Sequence, residues 1–315
     1  MRSTRTRVTI FLYLLLCYNE LMAKKKVNKV WQFLKNWWIL IVILIGLTAL
    51  NTVTLINEIE HNDYVVETNA FFAPFEYYDN RQIVGVDIEI INRVAEKLDA
   101  KIDIKNVEFD IIIDNVANGV IADAGAAGLT ITPARAEKVD FSIPYYTSVQ
   151  YVIFNAENMP ETNTEYVVWD NLAGKILGTQ TGSTGYLFAS DEISEGVLKD
   201  TKTTLKGLDS HQLAADAINA HIIDYAIADE LAAQFIVEKN PNLMTLPLYY
   251  LGEDGEEDYP VEESYAIAVN KQTPELLNAF NEVLTEMLQP KEDGKSEIDH
   301  LILQYMGFNN EGENS

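Results

Sequence analysis

The sequence predicts an α/β fold of two lobes, preceded by one membrane-spanning helix. Three observations indicate this: strand-like and helix-like segments alternate after residue 63, the alternation occurs twice, and an apolar run without charge lies near the N-terminus. The 315 residues are 48% apolar, which is enough for one large or two medium globular domains and too much for a disordered chain.

The charge balance limits the partners that the protein can have. There are 48 acidic residues against 23 Lys and Arg, a net charge of -25. Wrapping nucleic acid requires clustered basic residues, so we expect no nucleic-acid partner. The lone cysteine, Cys17, can form neither an internal disulfide nor a Cys-based zinc site. We expect no metal and no cofactor, and we assign structural or surface roles to the histidines, which lack ligand spacing: His61, His211, His221 and His300.

The N-terminal part differs from the rest. Residues 1–60 hold eight Lys or Arg and three acids, whereas the remainder holds 15 basic and 45 acidic residues. Residues 37–56 form a run of 20 without a charge, about the length needed to cross ~30 Å of hydrocarbon. Because basic residues precede the run and acids follow it, the positive-inside tendency places residues 1–36 in the cytoplasm. We therefore expect a single-pass protein of the cell membrane with its acidic body outside.

Three further hypotheses concern this segment and the residues before it. A cleaved signal peptide has a similar basic start and apolar centre, although no small-x-small cleavage site follows the run, and it too would export the body. The true start is uncertain, since Met22 followed by Lys24 to Lys26 would begin an ordinary leader. Lipidation of Cys17 is a weaker hypothesis, because Leu16 rather than a small residue precedes it.

The first α/β unit begins directly after residue 63. Residues 64–68 and 101–107 have strand patterns, and 87–98 has helical spacing of its apolar side chains. A second helix at 111–117 ends at Gly119, and the small apolar residues 122–129 suit a buried strand. These segments predict a complete α/β unit.

The second unit repeats the pattern, and the chain then closes with helices. Strands are predicted at 175–178 and 225–228, with helices opening at 183 and spanning 210–220. A further strand at 265–269 precedes helices at 274–288 and 298–306, while the acidic residues 253–263 suit a solvated loop. Two such units imply two lobes.

A first set of polar groups follows the strand at 122–129. Gly128, Thr130 and Arg135 could present a backbone N–H, a hydroxyl and a planar guanidinium to a carboxylate. Composition alone favours the alternative, in which Arg135 forms a weak surface ion pair with Glu137 or Asp140.

Two long stretches decide between these alternatives. NAFFAPFEYYDNRQIVGVDIEI and EFDIIIDNVANGVIADAGAAGLTITPARAEKVDFSIPYY resemble the extracellular solute-binding proteins of polar amino-acid ABC transporters, bacterial solute-binding protein family 3. The resemblance covers nearly all of residues 64–309. It implies a periplasmic-binding-protein type II fold with two hinge crossovers, near Gln150 and Pro260. Lobe 1 would then comprise 63–150 and 262–309, lobe 2 would comprise 151–261, and 310–315 would be a tail.

The resemblance also assigns roles in lobe 1. In that family the position of Arg135 holds the α-carboxylate of the ligand, helped by the positions of Gly128 and Thr130. The positions of Phe72 and Phe109 form aromatic walls against the ligand side chain, whereas core packing is the ordinary role of a lone Phe.

Lobe 2 is expected to supply two further groups. In GTQTGSTGY, Ser183 and Thr184 lie at a helix start, where free N–H groups favour anions, and the family gives the position of Thr184 a carboxylate contact. Asp229 follows a strand, where α/β folds bind ligands, and the matching family acid accepts the α-ammonium. The alternative for Asp229 is a helix N-cap, and both roles are compatible.

Asn69 bears on specificity. Relatives that take lysine, arginine or ornithine commonly have an acid at this position, and Asn69 lacks that charge. Glu76, Asp79 or Glu108 could supply a charge if one of them approached the pocket. We therefore expect a polar uncharged ligand such as glutamine, followed by cystine or an acidic amino acid.

The resemblance implies a monomer that binds a free amino acid outside the membrane and delivers it to an ABC permease served by an ATPase. We expect no catalytic residues, since the body has no cysteine and no GxSxG motif. Two alternatives remain open: a cyclohexadienyl-dehydratase-like enzyme on the same fold, and a ligand-sensing module.

Overall fold

A computed structural model describes residues 62–161, 165–252 and 257–307, together with Trp37 and Val42. The leader at 1–36, all but these two residues of the predicted span at 37–56, and the tail at 310–315 lie outside the described residues. Within the described part of the chain, no helix has the length and apolar character needed to cross a membrane.

The body that follows the leader alternates strands and helices, as predicted. The strands are β1 (Tyr64–Thr68), β2 (Phe71–Phe72), β3 (Glu76–Asp79), β4 (Gln82–Val84), β5 (Ile102–Asn106), β6 (Ala124–Gly125), β7 (Asp140–Phe141), β8 (Tyr146–Asn155), β9 (Val167–Val168), β10 (Ile176–Gln180), β11 (Thr204–Leu208), β12 (Tyr225–Asp229), β13 (Leu243–Tyr250), β14 (Tyr259–Pro260), β15 (Glu262–Tyr265) and β16 (Ala268–Val269). The helices are α1 (Val86–Leu98), α2 (Ile112–Asn118), α3 (Pro133–Lys138), α4 (Thr184–Ser194), α5 (His211–Asn219), α6 (Glu230–Lys239), α7 (Pro274–Met287) and α8 (Glu297–Tyr305).

Two sheets form the centres of two lobes. The first sheet has the order β5-β1-β6-β16-β7, with β1 parallel to both β5 and β6. The second has the order β11-β10-β12-β8-β13-β14, with β10 parallel to β11 and β12. The carboxyl ends of parallel strands share one edge of a sheet, so each lobe presents its strand-end loops together.

The two lobes are joined by a pair of antiparallel strands. The first half of β8 pairs with β15, from Glu262 opposite Val149 to Tyr265 opposite Tyr146. The second half of β8 pairs with β12 and β13 in the second sheet. These two strands therefore carry the chain from one lobe to the other and back.

Local sequence explains where the helices next to the cleft begin and end. The Ser183 and Ser210 hydroxyls accept hydrogen bonds from backbone N–H groups in the first turns of α4 and α5. Gly119 ends α2 with a φ of +67°, which a glycine adopts without steric cost. The apolar side of α1 packs into a core with α7, through residues that include Ile91, Val94 and Leu284.

Two predicted segments differ from the structure. The strand predicted at 122–129 is confined to β6, because the chain turns at Gly128, where φ is +54°. The loop predicted at 253–263 includes β14 and the start of β15, whose backbones pair with β13 and β8. The acidic composition of that stretch is typical of a loop, although its residues pair as strands.

Candidate ligand-binding site

A narrow cavity lies between the lobes. One lobe contributes Phe72, Phe109, Ala127, Gly128 and Thr130, and the other contributes Gln180, Ser183, Thr184, His211 and Asp229. Six of the eight predicted site residues are therefore in its wall, while Asn69 and Arg135 lie directly behind it.

Arg135 is fixed beside the cavity by its own helix. Thr132 is the N-cap of α3, with its hydroxyl accepting from the Arg135 N–H at 3.2 Å. The guanidinium is buried; Nη1 donates to the Thr130 carbonyl oxygen at 2.9 Å, and Nη2 donates across the cleft to the Gly182 carbonyl oxygen at 3.0 Å. It also lies 5.7 Å from the centroid of the Phe109 ring. This is a buried cation between the lobes rather than an exposed surface pair.

Burial lowers the pKa of Arg135, and the carboxylates of Glu263 and Asp229 oppose that effect. Arginine stays protonated under ordinary conditions, so the site keeps a permanent positive charge. Such a charge can pair bidentately with a carboxylate.

Gly128 brings the backbone close to an aromatic wall. Its N–H donates to Asp87 at 3.0 Å, and a Cβ at this position would lie 2.5 Å from Phe72 Cε1. Phe72 in turn packs against Phe75, Tyr265 and the His211 ring of the other lobe. Any larger residue at 128 would displace the wall, which explains the need for glycine here.

Two hydroxyls from opposite lobes meet at the cavity. Thr130 Oγ1 and Thr184 Oγ1 lie 3.3 Å apart, and both donate to Glu263 Oε2, Thr130 at 2.5 Å. Glu263 is 5% exposed. The sequence predicts no role for this residue, because its acidic surroundings are typical of a solvated loop.

Asp229 is 7% exposed and occupies the N-cap position of α6, yet its side chain makes no capping hydrogen bond. Its carboxylate accepts instead from Gln150 Nε2, which donates to Glu263 as well. Burial, followed by the neighbouring Glu263 carboxylate, raises the pKa of Asp229 well above its ordinary value. The side chain thus faces the cleft rather than the helix.

Asn69 links the lobes behind the cavity. Its Nδ2 donates to the Val107 carbonyl oxygen at 2.7 Å, and its Oδ1 accepts from Gln180 Nε2 at 2.8 Å. Three acids could supply the negative charge that Asn69 lacks. Glu76 is buried within its own lobe, whereas Asp79 and Glu108 are exposed. None of the three is in the cavity wall.

His211 was expected to have a structural or surface role, and the structure places it in the cavity wall. Its ring centroid lies 5.5 Å from that of Phe72. Burial lowers its pKa to about 4, so the imidazole is neutral at pH 7. Its position at the start of α5, directly after the Ser210 cap, is the signal that could have located it.

The arrangement is suited to a small zwitterion. An acid (Asp229), hydroxyls and aromatic rings line one cavity from both lobes, and a cation (Arg135) lies next to its wall. Among the described residues, no group of three or more His, Cys, Asp or Glu side chains is placed to hold a metal ion.

Comparison with known proteins gives consistent matches. The family model of bacterial extracellular solute-binding proteins, family 3, matches residues 64–307. The arginine-binding extracellular protein ArtP of Bacillus subtilis is 25% identical over 259 residues, covering 81% of this chain and 93% of ArtP.

Solved structures agree with that match. The amino acid ABC transporter substrate-binding protein AbpA of Streptococcus pneumoniae, bound to L-arginine, has a TM-score of 0.65 and 29% identity, covering 78% of this chain and 94% of AbpA. Ancestral arginine-binding proteins are 30% identical to this chain; the arginine-bound one has a TM-score of 0.63 and covers 77% of this chain and 97% of its own. The glutamine-bound one has a TM-score of 0.61, with 78% and 97% covered.

Proposed function

This chain belongs to family 3 of the bacterial extracellular solute-binding proteins and binds an amino acid for import by an ABC transporter. We propose that its ligand is a polar uncharged amino acid such as glutamine. The body has the two-lobed periplasmic-binding-protein type II fold. The family consists of transport proteins, so the chain is not an enzyme.

One observation carries the proposed binding mode: the lobes bring opposite charges to the same cavity. Asp229 lines the cavity from one lobe, and Arg135 lies next to its wall in the other lobe, both buried. In the proposed complex the α-carboxylate pairs with Arg135 and accepts from Thr184, whose hydroxyl turns to it from Glu263, while the α-ammonium donates to Asp229. A ligand held in this way contacts both lobes and favours their closed arrangement.

The side-chain end of the cavity supports an uncharged ligand. Phe72, Phe109, His211 and Gln180 line it, and the nearby Asn69 supplies an amide where a cationic ligand would need an acid. Such amides can donate to and accept from a carboxamide.

Arginine is the second candidate, because ArtP is named as an arginine-binding protein and AbpA was solved with L-arginine. Guanidinium groups also stack well on aromatic rings, and Phe72 and Phe109 are available for that. Ancestral arginine-binding proteins were solved with arginine and with glutamine, so a related site holds either ligand.

Thermal unfolding in the presence of each common amino acid tests the proposal. A ligand at ~100 times its dissociation constant stabilises the native state by ~2.7 kcal/mol and moves the midpoint by several degrees. We expect glutamine to bind at least tenfold more tightly than arginine, a difference of about 1.4 kcal/mol. The reverse order would overturn the preference for glutamine, and no shift with any amino acid would overturn amino-acid binding.

The remaining roles are also proposals. The bound amino acid passes to a permease driven by an ATPase, from a monomer held at the membrane by residues 37–56. Deleting the gene should abolish high-affinity uptake of the bound amino acid. Retained uptake, together with a ligand-dependent change in gene expression, would instead favour a sensing module.

A further inference from the structure

Glu263 lies on one of the two strands that join the lobes. Along β15, Glu262 is exposed, Glu263 is buried and Tyr265 is buried, as expected for side chains that alternate across a strand. The alternation directs Glu263 inward, to the place where both lobes meet.

The contacts of Glu263 are those of a site residue. One carboxylate oxygen accepts from Thr130 and Thr184, which line the cavity from opposite lobes, and the other accepts from Gln150. Gln150 also donates to Asp229, so one amide nitrogen bridges two buried carboxylates. Repulsion between two such acids is costly unless a proton or a cation lies between them.

Arg135, whose charge acts on both carboxylates, makes no hydrogen bond to either of them in the described part of the chain. Arg135 directs guanidinium hydrogen bonds at the backbone carbonyl oxygens of Thr130 and Gly182. Within the described ranges, none of the ion pairs involves Asp229 or Glu263. A positively charged group of a ligand would offset the repulsion between the Asp229 and Glu263 carboxylates.

We propose that Glu263 belongs to the ligand site and, together with Asp229, receives the α-ammonium of the bound amino acid. The proposal rests on the proposed amino-acid binding. An ammonium has three N–H donors, which fits two carboxylates and the Thr130 hydroxyl.

Proton release accompanies this step. Burial and the Glu263 carboxylate raise the pKa of Asp229 well above its ordinary value, which favours the protonated form of Asp229 before ligand enters. The ammonium takes the place of that proton, which leaves to solvent, and the carboxylate remains to pair with the ligand. The titratable and charged groups that act on the pair are Arg135 from α3, His211 from α5, Tyr265 from β15, Tyr146 from β8 and Glu76 from β3.

Calorimetric titration of the full chain with the amino acid that gives the largest thermal shift tests this role. Glu263→Gln keeps the shape and an acceptor for both threonine hydroxyls but removes the charge, so affinity should fall roughly 10- to 100-fold, the equivalent of ~1.4 to 2.7 kcal/mol. Glu262→Gln is the matched control, since it removes the same charge from the exposed side of the same strand, and it should bind as the wild type does.

Repeating the titration at pH 7 in buffers of different ionisation enthalpy counts the protons. We expect proton release by the wild type and less by Glu263→Gln, because the neutral amide removes the repulsion of the second carboxylate while the burial of Asp229 remains. Equal or tighter binding by Glu263→Gln, or unchanged proton release, would overturn the proposal. If that variant fails to fold, Glu263→Asp, which keeps the charge, should still release a proton while binding more weakly. A wild type that binds no amino acid would overturn the proposed function and this proposal with it.

Discussion

Gln180 of one lobe donates to Asn69 of the other, with 2.8 Å between Nε2 and Oδ1. The same Gln180 nitrogen donates to the Asp209 carbonyl oxygen at 3.1 Å, so its amide orientation is fixed from its own lobe. This side of the cleft is therefore closed by paired amides rather than by an acid.

Asn69→Asp should shift the preference towards cationic amino acids. A carboxylate at 69 still accepts from Gln180 and adds a charge near the ligand side chain, so the ratio of arginine to glutamine affinity should rise about tenfold. Parallel titrations measure that ratio. Asn106→Asp is the control, since Asn106 is exposed and its oxygen accepts from the Ala70 N–H at 2.7 Å, a role that Asp retains. An equal change in the affinity ratio of both variants would show that the added negative charge acts irrespective of its position.

Arg135→Ala should weaken amino-acid binding by ~100-fold, the equivalent of about 3 kcal/mol, because a buried charged hydrogen-bond donor to the α-carboxylate is lost. Arg135→Lys should recover little, since an ammonium cannot reproduce the planar guanidinium geometry. Lys138→Ala removes an exposed cation from the same helix and should leave affinity unchanged. Wild-type affinity in Arg135→Ala would refute the carboxylate role.

Gly128→Ala should cost both stability and affinity. The new Cβ would meet Phe72 at 2.5 Å and would require a non-glycine residue at a φ of +54°, for a loss of roughly 2 to 3 kcal/mol in the free energy of unfolding. Gly294→Ala isolates the backbone component, because its φ is +83° and no atom lies within 4 Å of the added Cβ. Denaturant unfolding should show a loss of about 1 kcal/mol for that control. Equal losses would mean that the contact with Phe72 has no energetic consequence.

His211 should make the fold sensitive to mild acid. Its folded pKa of about 4 lies below the unfolded value of 6.5, so its contribution to stability is present above pH 6.5 and is lost as pH falls towards 4. The loss should reach about 3 kcal/mol, because a tenfold difference in proton affinity between the folded and unfolded states corresponds to ~1.4 kcal/mol. The difference in unfolding free energy between the wild type and His211→Gln, measured from pH 7 to pH 4, isolates this group. A difference that does not change with pH would contradict a buried neutral imidazole.

Elements next to the cleft are predictable from sequence where hydrophobic periodicity or a glycine cap determines them. Periodicity predicted β1 and α1, and Gly119 marked the end of α2. The polar residues at 128–135 were placed by family resemblance, because exposed ion pairing was the stronger alternative from composition alone. The structure buries Arg135, but its contact with a ligand stays a prediction.

Glu263 and His211 were not predictable from composition. Glu263 lies within an acidic run, and only its alternation with the exposed Glu262 along a strand indicates that it points inward. His211 has no metal-binding partner in the sequence, and the ring packing that defines its environment involves Phe72, more than a hundred residues away in the chain. Both positions depend on contact between lobes, which periodicity does not encode.

A crystal structure of the protein with the amino acid that binds most tightly would locate the ligand. We expect the ligand between the lobes, with its carboxylate within hydrogen-bond distance of Arg135 and Thr184 and its ammonium within hydrogen-bond distance of Asp229. A ligand bound outside this cleft, or one whose carboxylate and ammonium are exchanged between Arg135 and Asp229, would contradict it.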